Sequence, residues 1–218
     1  MATLYSKEKA KLFYEGILAD ELSLKPVILG IIGNIRGKGV LDFGCGTGRY
    51  SIIFAKRGAN VIGIDKSKYQ IEIAKKMNLH PKINYFVAEG SHLPRIKRGS
   101  IDLIFMNLVV PDIESKQRLA KVFSEIARVL KSNGRLIFSN LHPLYLSPAQ
   151  DPYDRPINFK KKNYYKEGHI YKAQAVTTKG KRFLFTETHF TLTYLSKLLK
   201  DNGFVIRRIL ESKQLPKK

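Results

Sequence analysis

Cysteine occurs once among the 218 residues, as Cys45, so no internal disulfide can staple the chain. Long apolar runs are missing as well. Nothing approaches the roughly 18 uncharged residues that a membrane-spanning helix requires, and the opening MATLYSKEKAKLFYEG is dotted with lysine where a secretion signal would carry an apolar stretch. A cytoplasmic location with no membrane partner is the expectation. The five histidines lie singly, and with one cysteine they leave no spacing suited to a metal site. No internal repeat or linker divides the sequence, and the length suits one domain over residues 1–218. Acidic residues are scarce: 18 Asp and Glu stand against 39 Lys and Arg, a formal charge of +21. Residues 143–218 carry 16 basic and 6 acidic side chains, whereas residues 1–39 carry 6 and 4. Such a field draws polyanions and anionic substrates from a distance. A lysine-rich genome or a hot habitat produces the same bias without a polyanionic partner.

What is present is the composition of a folded globular chain, 44% hydrophobic and 26% charged. The apolar pattern alternates between short strands and amphipathic helices. KGVLDFG, NVIGID, INYFVAEG, SIDLIFMNLVV and RLIFSN read as five strands. RYSIIFAKRG, SKYQIEIAKKM with Ser67 as its cap, and SKQRLAKVFSEIARVLKSNG read as helices, the last ending where Gly134 suits a left-handed stop. Residues 143–180, rich in proline, tyrosine and lysine, break the pattern and read as an excursion over the strand ends, part loop and part short strand. KRFLFTETHF and FVIRRILE read as two late strands around the helix TLTYLSKLLKDNG, capped by Thr191. The fold expected is α/β and doubly wound: a mostly parallel seven-stranded sheet with an antiparallel edge strand and helices on both faces.

VLDFGCGTGRY, residues 40–50, places Asp42, Gly44, Gly46 and Gly48 at the end of the first strand, where an open parallel sheet binds ligands. Bare backbone there can bend under a ligand and offer it amides, while Asp42 suits a cation. Asp65, about 20 residues on, ends the second strand where a carboxylate accepts from a ribose diol. NAD and S-adenosylmethionine both carry that diol. A dinucleotide loop would need a small residue where Arg49 stands, counting from Gly44.

Asp-x-Gly-x-Gly-x-Gly, followed in order by VIGIDKS, FVAEGSHLP, IDLIFMNLVV and RVLKSNGRLIFSNLHP, resembles the motif series of the Rossmann-like S-adenosylmethionine-dependent methyltransferases over residues 36–143. The closing ETHFTLTYLSKLLKDNGFVIRRILE resembles the branch that acts on small molecules. The resemblance implies S-adenosylmethionine as cofactor and S-adenosylhomocysteine as product. It implies that Asp42 and the Gly44–Gly48 loop with Cys45 hold the methionine end and that Asp65 holds the ribose. Glu89, Gly90, Ser91 and His92 would flank the adenine, Lys66 would lie on its face, and Asn107 and Tyr14 would complete the cofactor shell. It divides the chain into a helical cap (1–36), a cofactor-binding core (37–142), a substrate lid (143–180) and a C-terminal portion (181–218). The histidine-arginine pair common in that branch is His189-Phe190 here, and a histidine that many relatives carry near Pro111 is absent.

Methyl transfer from a sulfonium needs alignment first, and a base only where the acceptor holds a proton. His142 and His189 are the histidines placed to act as base, and Asn107 and Asp112 to touch the acceptor. A small metabolite is the preferred acceptor, methylated on O, N or C. An RNA acceptor, tRNA or rRNA, is the alternative: lysines of KKKNYYK would track phosphates while Tyr164 and Tyr165 stack on bases. A non-catalytic cofactor-binding protein is a third reading. Oligomeric state is not encoded in any of these patterns.

Overall fold

The computed structural model describes residues 6–17, 19–140, 154–156 and 159–211. A helix α1 (Lys7–Glu15), capped by the Ser6 hydroxyl, leads into a π-helical turn at Asp20–Leu24 and then α2 (Lys25–Ile31). The alternation follows: β1 (Gly39–Phe43), α3 (Arg49–Lys56), β2 (Asn60–Asp65), α4 (Lys68–Met77), β3 (Ile83–Val87), β4 (Ile101–Asn107), α5 (Lys116–Val129) and β5 (Leu130–Ser139). The five strands pair in parallel in the order β3-β2-β1-β4-β5.

Side-chain alternation along each strand divides the core between the two faces. On β4, Leu103 and Phe105 join Ile28, Ile32 and Phe54 of the α2–α3 side. Ile104 and Met106 join Leu119, Phe123 and Ile126 of α5 on the other. Every one of these side chains is at most 4% exposed, which fixes the relative height of the strand ends.

Three expectations change. Among the described residues the parallel sheet has five strands, not seven: β6 (Asp154–Pro156), β7 (His169–Val176) and β8 (Arg182–His189) form a separate antiparallel sheet. β7 and β8 are joined by a short turn, so each finds its partner locally. The last helix, α6 (Leu192–Asp201), is capped by Thr191 as expected, but residues 204–211 form no strand. Val205 and Ile209 are 84% and 71% exposed, because among the described residues this segment meets no open strand edge. Gly134 is not left-handed: α5 stops at Val129 and the chain passes directly into β5, with a register shift against β4 between Ile101 and Leu103.

Candidate active site

The parallel strands end on one edge, and their order reverses beside β1. The loops after β1 and β4 therefore lead away from each other and leave a crevice. A cavity of about 220 Å³ occupies it.

Gly44, Gly46 and Gly48 all have positive φ, at 71°, 54° and 79°. Their surroundings differ. A Cβ on Gly44 would stand 2.4 Å from a Val109 methyl, and one on Gly48 would stand 2.3 Å from the Tyr85 hydroxyl. The protein's own side chains, not a ligand, press on these two. At Gly46 the nearest atom to such a Cβ is Gln70 Oε1 at 3.8 Å, so this glycine is the one that leaves its backbone open. Gly48 caps α3 and is not part of the cavity wall; Gly44, Cys45 and Gly46 are. Cys45 is buried, and burial together with the Asp42 and Asp65 carboxylates pushes its thiol well up, which keeps it an inert filler.

The loop is pinned by the two strand-end acids. Asp65 Oδ2 accepts the Gly46 N–H at 3.0 Å and Oδ1 accepts the Ser67 N–H at 2.8 Å. Burial raises its carboxyl, opposed by these two bonds and by Lys66. Asp42, 2% exposed, accepts from the Ser51 hydroxyl, and burial lifts its carboxyl to about 7. Ser67 and Gln70 have the S-x-x-Q spacing of a capping box, in which the glutamine would reach back to the cap N–H. Asp65 holds that N–H, so Gln70 turns its amide to the cavity wall. There its Oε1 is buried without a hydrogen-bond partner among the described residues.

The residues expected to flank the adenine meet at the mouth, His92 excepted. Glu89, Gly90 and Ser91 line the cavity, and Glu89 is ion-paired with Arg118 of α5. His92 is exposed and lies outside the wall. Lys66 lines the wall and donates to the Asp112 carbonyl at 3.2 Å; burial raises the Asp112 carboxyl to about 7.

Beyond β4 the wall is a polar network. Asn107 donates from Nδ2 to Asp20 Oδ1 at 3.0 Å and accepts from the Ser139 hydroxyl at 2.6 Å, while the Tyr50 hydroxyl donates to the same Asp20 oxygen at 3.0 Å. Leu108 follows with φ 53°, the one non-glycine with positive φ among the described residues, its N–H held by Ser139. Strain of this kind clusters at functional loops. Arg49 reaches Glu21 and the Tyr14 carbonyl, fastening the N-terminal segment to the glycine loop.

Besides Gly48 and His92, two more expected residues lie elsewhere. Tyr14 contributes only its carbonyl, and the aromatic ring that α1 places on the wall is its neighbour Phe13. His189 is not on the wall: it is 5% exposed, its Nε2 lies 2.6 Å from the Tyr164 carbonyl, and the Phe159 and Tyr164 rings pack on it. Tyr164 is thereby taken up in packing, whereas Tyr165 is 86% exposed. His142 and residues 143–153 and 157–158 of the expected lid fall outside the described residues; none of residues 159–180 lines the cavity. Asp20, Phe13, Gln70 and Arg118 were not marked by any motif. Of these only Gln70 carried a local signal, its capping-box spacing.

Comparison with known proteins adds a family likeness over part of the chain. Residues 41–138 match the family described as "Methyltransferase domain". The chain is 34% identical over 114 residues, 52% of its length, to the malonyl-[acyl-carrier protein] O-methyltransferase of Hamiltonella defensa. It is 30% identical over 125 residues, 55% of its length, to the ubiquinone biosynthesis O-methyltransferase of Idiomarina loihiensis. The chain spans only 42% and 50% of these relatives' own lengths. The crystal structure of an S-adenosylmethionine-dependent methyltransferase from Mesorhizobium loti shares the fold, with a TM-score of 0.60 at 22% identity over 84% of this chain and 81% of that one. The glycine loop, the strand-end acids and the strands whose order reverses thus lie in the part of the chain that is similar to this methyltransferase family.

Proposed function

We propose that this protein moves the methyl group of S-adenosylmethionine to a nucleophile on a small metabolite. The observation that carries the reading is the convergence of the Asp65 carboxylate, the open face of Gly46 and the orphaned Gln70 Oε1 on one cavity. A carboxylate has about four acceptor positions. Each Asp65 oxygen has spent one on a backbone N–H, which leaves one each for two ribose hydroxyls. The cavity, about 220 Å³, is below the roughly 300–1,000 Å³ usual for small-molecule sites. The half-exposed Glu89–Arg118 pair at its mouth can part at a cost of about 0–1 kcal/mol.

Bound there, S-adenosylmethionine supplies a methyl that is already electrophilic. The chain's share is then mainly alignment, which lowers such barriers by roughly 7–11 kcal/mol. The fixed loop, Asp65 and the strand ends serve that purpose. Two relatives bear the name O-methyltransferase, which favours an oxygen nucleophile.

Asp42 and Asp112 give the binding a pH signature. Both carboxyls are raised to about 7 by burial, so both are partly protonated in neutral solution. A sulfonium or ammonium nearby favours their ionised forms. Binding is therefore expected to release protons near pH 7, read by calorimetry in buffers of different ionisation heat, and affinity should rise as pH rises toward about 7 and then level off. In the free protein the folded state holds these protons more tightly than the unfolded chain does. Stability should fall as pH rises from the ordinary aspartate value of 3.8 to about 7, by at most about 1.4 kcal/mol per pH unit for each group.

Incubation with methyl-labelled S-adenosylmethionine and either a metabolite extract or total RNA tests the function. Label is expected in the small-molecule fraction. Label in RNA alone, with binding that weakens steeply with salt, would transfer the assignment to the RNA reading.

A further inference from the structure

Within the cavity, the sheet order separates two halves. Asp65, Gln70 and Glu89 belong to the β2–β3 side, whereas Asp20, Tyr50 and Asn107 gather on the β4–β5 side. If the nucleoside occupies the first half, its methyl-bearing end faces the second, and what stands there meets the acceptor.

Asp20 stands there. It lies on the π-helical turn, a distortion that recurs at functional sites, and is 8% exposed. Tyr50 and Asn107 both donate to Oδ1, and among the described residues Oδ2 takes no hydrogen bond. One oxygen is thus fixed and the other is left to act. Neither histidine expected as base is placed on this wall by the described residues.

We propose that Asp20 is the catalytic base of the acceptor half and that the acceptor is a hydroxyl. This rests on the methyltransferase reading above. As the acceptor oxygen forms its bond to the methyl carbon, the S–CH₃ bond breaks with its electron pair remaining on sulfur. The hydroxyl proton passes to Asp20 Oδ2, and the protonated carboxyl later returns it to water. A carboxylate acceptor has no proton to give and would meet Asp20 as a like charge. Burial raises the Asp20 carboxyl, which improves it as a proton acceptor; Tyr50, Asn107, Arg49 and Lys25 face it and pull the other way.

Sinefungin, which carries an amine-bearing carbon where S-adenosylmethionine has its methyl sulfonium, places an ammonium at the transfer point. S-adenosylhomocysteine has nothing there. By calorimetry, wild-type protein is expected to bind sinefungin more tightly than S-adenosylhomocysteine. Asp20→Asn, which keeps an oxygen for Tyr50 and Asn107, should lower the sinefungin affinity by about tenfold or more while S-adenosylhomocysteine binding stays unchanged. An unchanged ratio of the two affinities overturns the proposal. Should the variant fail to fold, the same ratio in wild-type protein is expected to fall as pH drops and Asp20 takes up its proton; a flat ratio overturns the proposal too. Failure of wild-type protein to bind S-adenosylhomocysteine would instead overturn the methyltransferase reading itself. The labelled metabolite gives the acceptor: a methyl ether survives alkali, whereas label released as methanol marks a methyl ester and overturns the hydroxyl assignment.

Discussion

Asp65→Ala is expected to weaken S-adenosylhomocysteine binding by at least about a hundredfold. Two ribose hydroxyls on a carboxylate are worth roughly 1.5–3 kcal/mol each, and every 1.4 kcal/mol is a factor of about ten. A second loss adds to the first, because the Gly46 and Ser67 N–H groups lose their acceptor and the loop is freed from β2. Asn at this position is no conservative replacement: its NH₂ must face one of those two N–H donors. Glu89→Gln makes the contrast. Its carboxylate is exposed and already paired with Arg118, so it should change affinity by less than about tenfold. Parallel titrations decide. Equal affinities for Asp65→Ala and wild type would remove the ribose role.

Gly44→Ala is expected to cost about 2–5 kcal/mol of stability, part of it recoverable. Left-handed backbone costs an alanine roughly 1–2 kcal/mol, and overpacking typically adds about 1–3 kcal/mol. The overpacking comes from Val109, one of whose methyls lies 2.4 Å from the new Cβ. Val109→Ala removes both methyls, and the Val109 Cβ itself is 3.5 Å away, an ordinary contact. The double variant should therefore be more stable than Gly44→Ala alone, a sign reversal for a large-to-small change in a wall. Denaturant melts of the four proteins in this cycle measure it. Additive losses would show that Val109 is not what excludes a side chain at Gly44.

The alternating core was legible because each element announces itself locally. Ser67 and Ser115 cap their helices, Gly48 and Gly58 bracket α3, and the unbroken apolar run of β4 reflects burial on both faces. The glycines and Asp65 could be placed for the same reason, since a loop between a strand and a helix is fixed by its neighbours. What escaped depends on distant chain. Asp20 reaches the wall only through Tyr50 and Asn107, 30 and 87 residues away. Phe13 rather than Tyr14 faces the cavity because α1 is oriented from outside, by Arg49 and by the β7–β8 turn. FVIRRILE has strand propensity, but propensity without a partner edge does not make a strand. For Gly44 and Gly48 the close neighbour is the protein itself, a contact between distant chain segments that a glycine spacing does not reveal.

The end of α1 is stitched to the β7–β8 turn: Ile17 bridges Thr177, the Thr178 N–H donates to the Gly16 carbonyl at 2.8 Å, and Lys181 pairs with Glu15. During translation the nucleoside half of the crevice has all its residues once Val122 has left the ribosome, yet the segment bearing Phe13 and Asp20, tied by Arg49, Tyr50 and Asn107, gains its remaining ties only when Lys181 follows. At about 5–20 residues per second, several seconds separate the two events. A nascent chain can thus offer a seat for the nucleoside before its acceptor wall is secured, and early ligand capture would steer the rest of its folding.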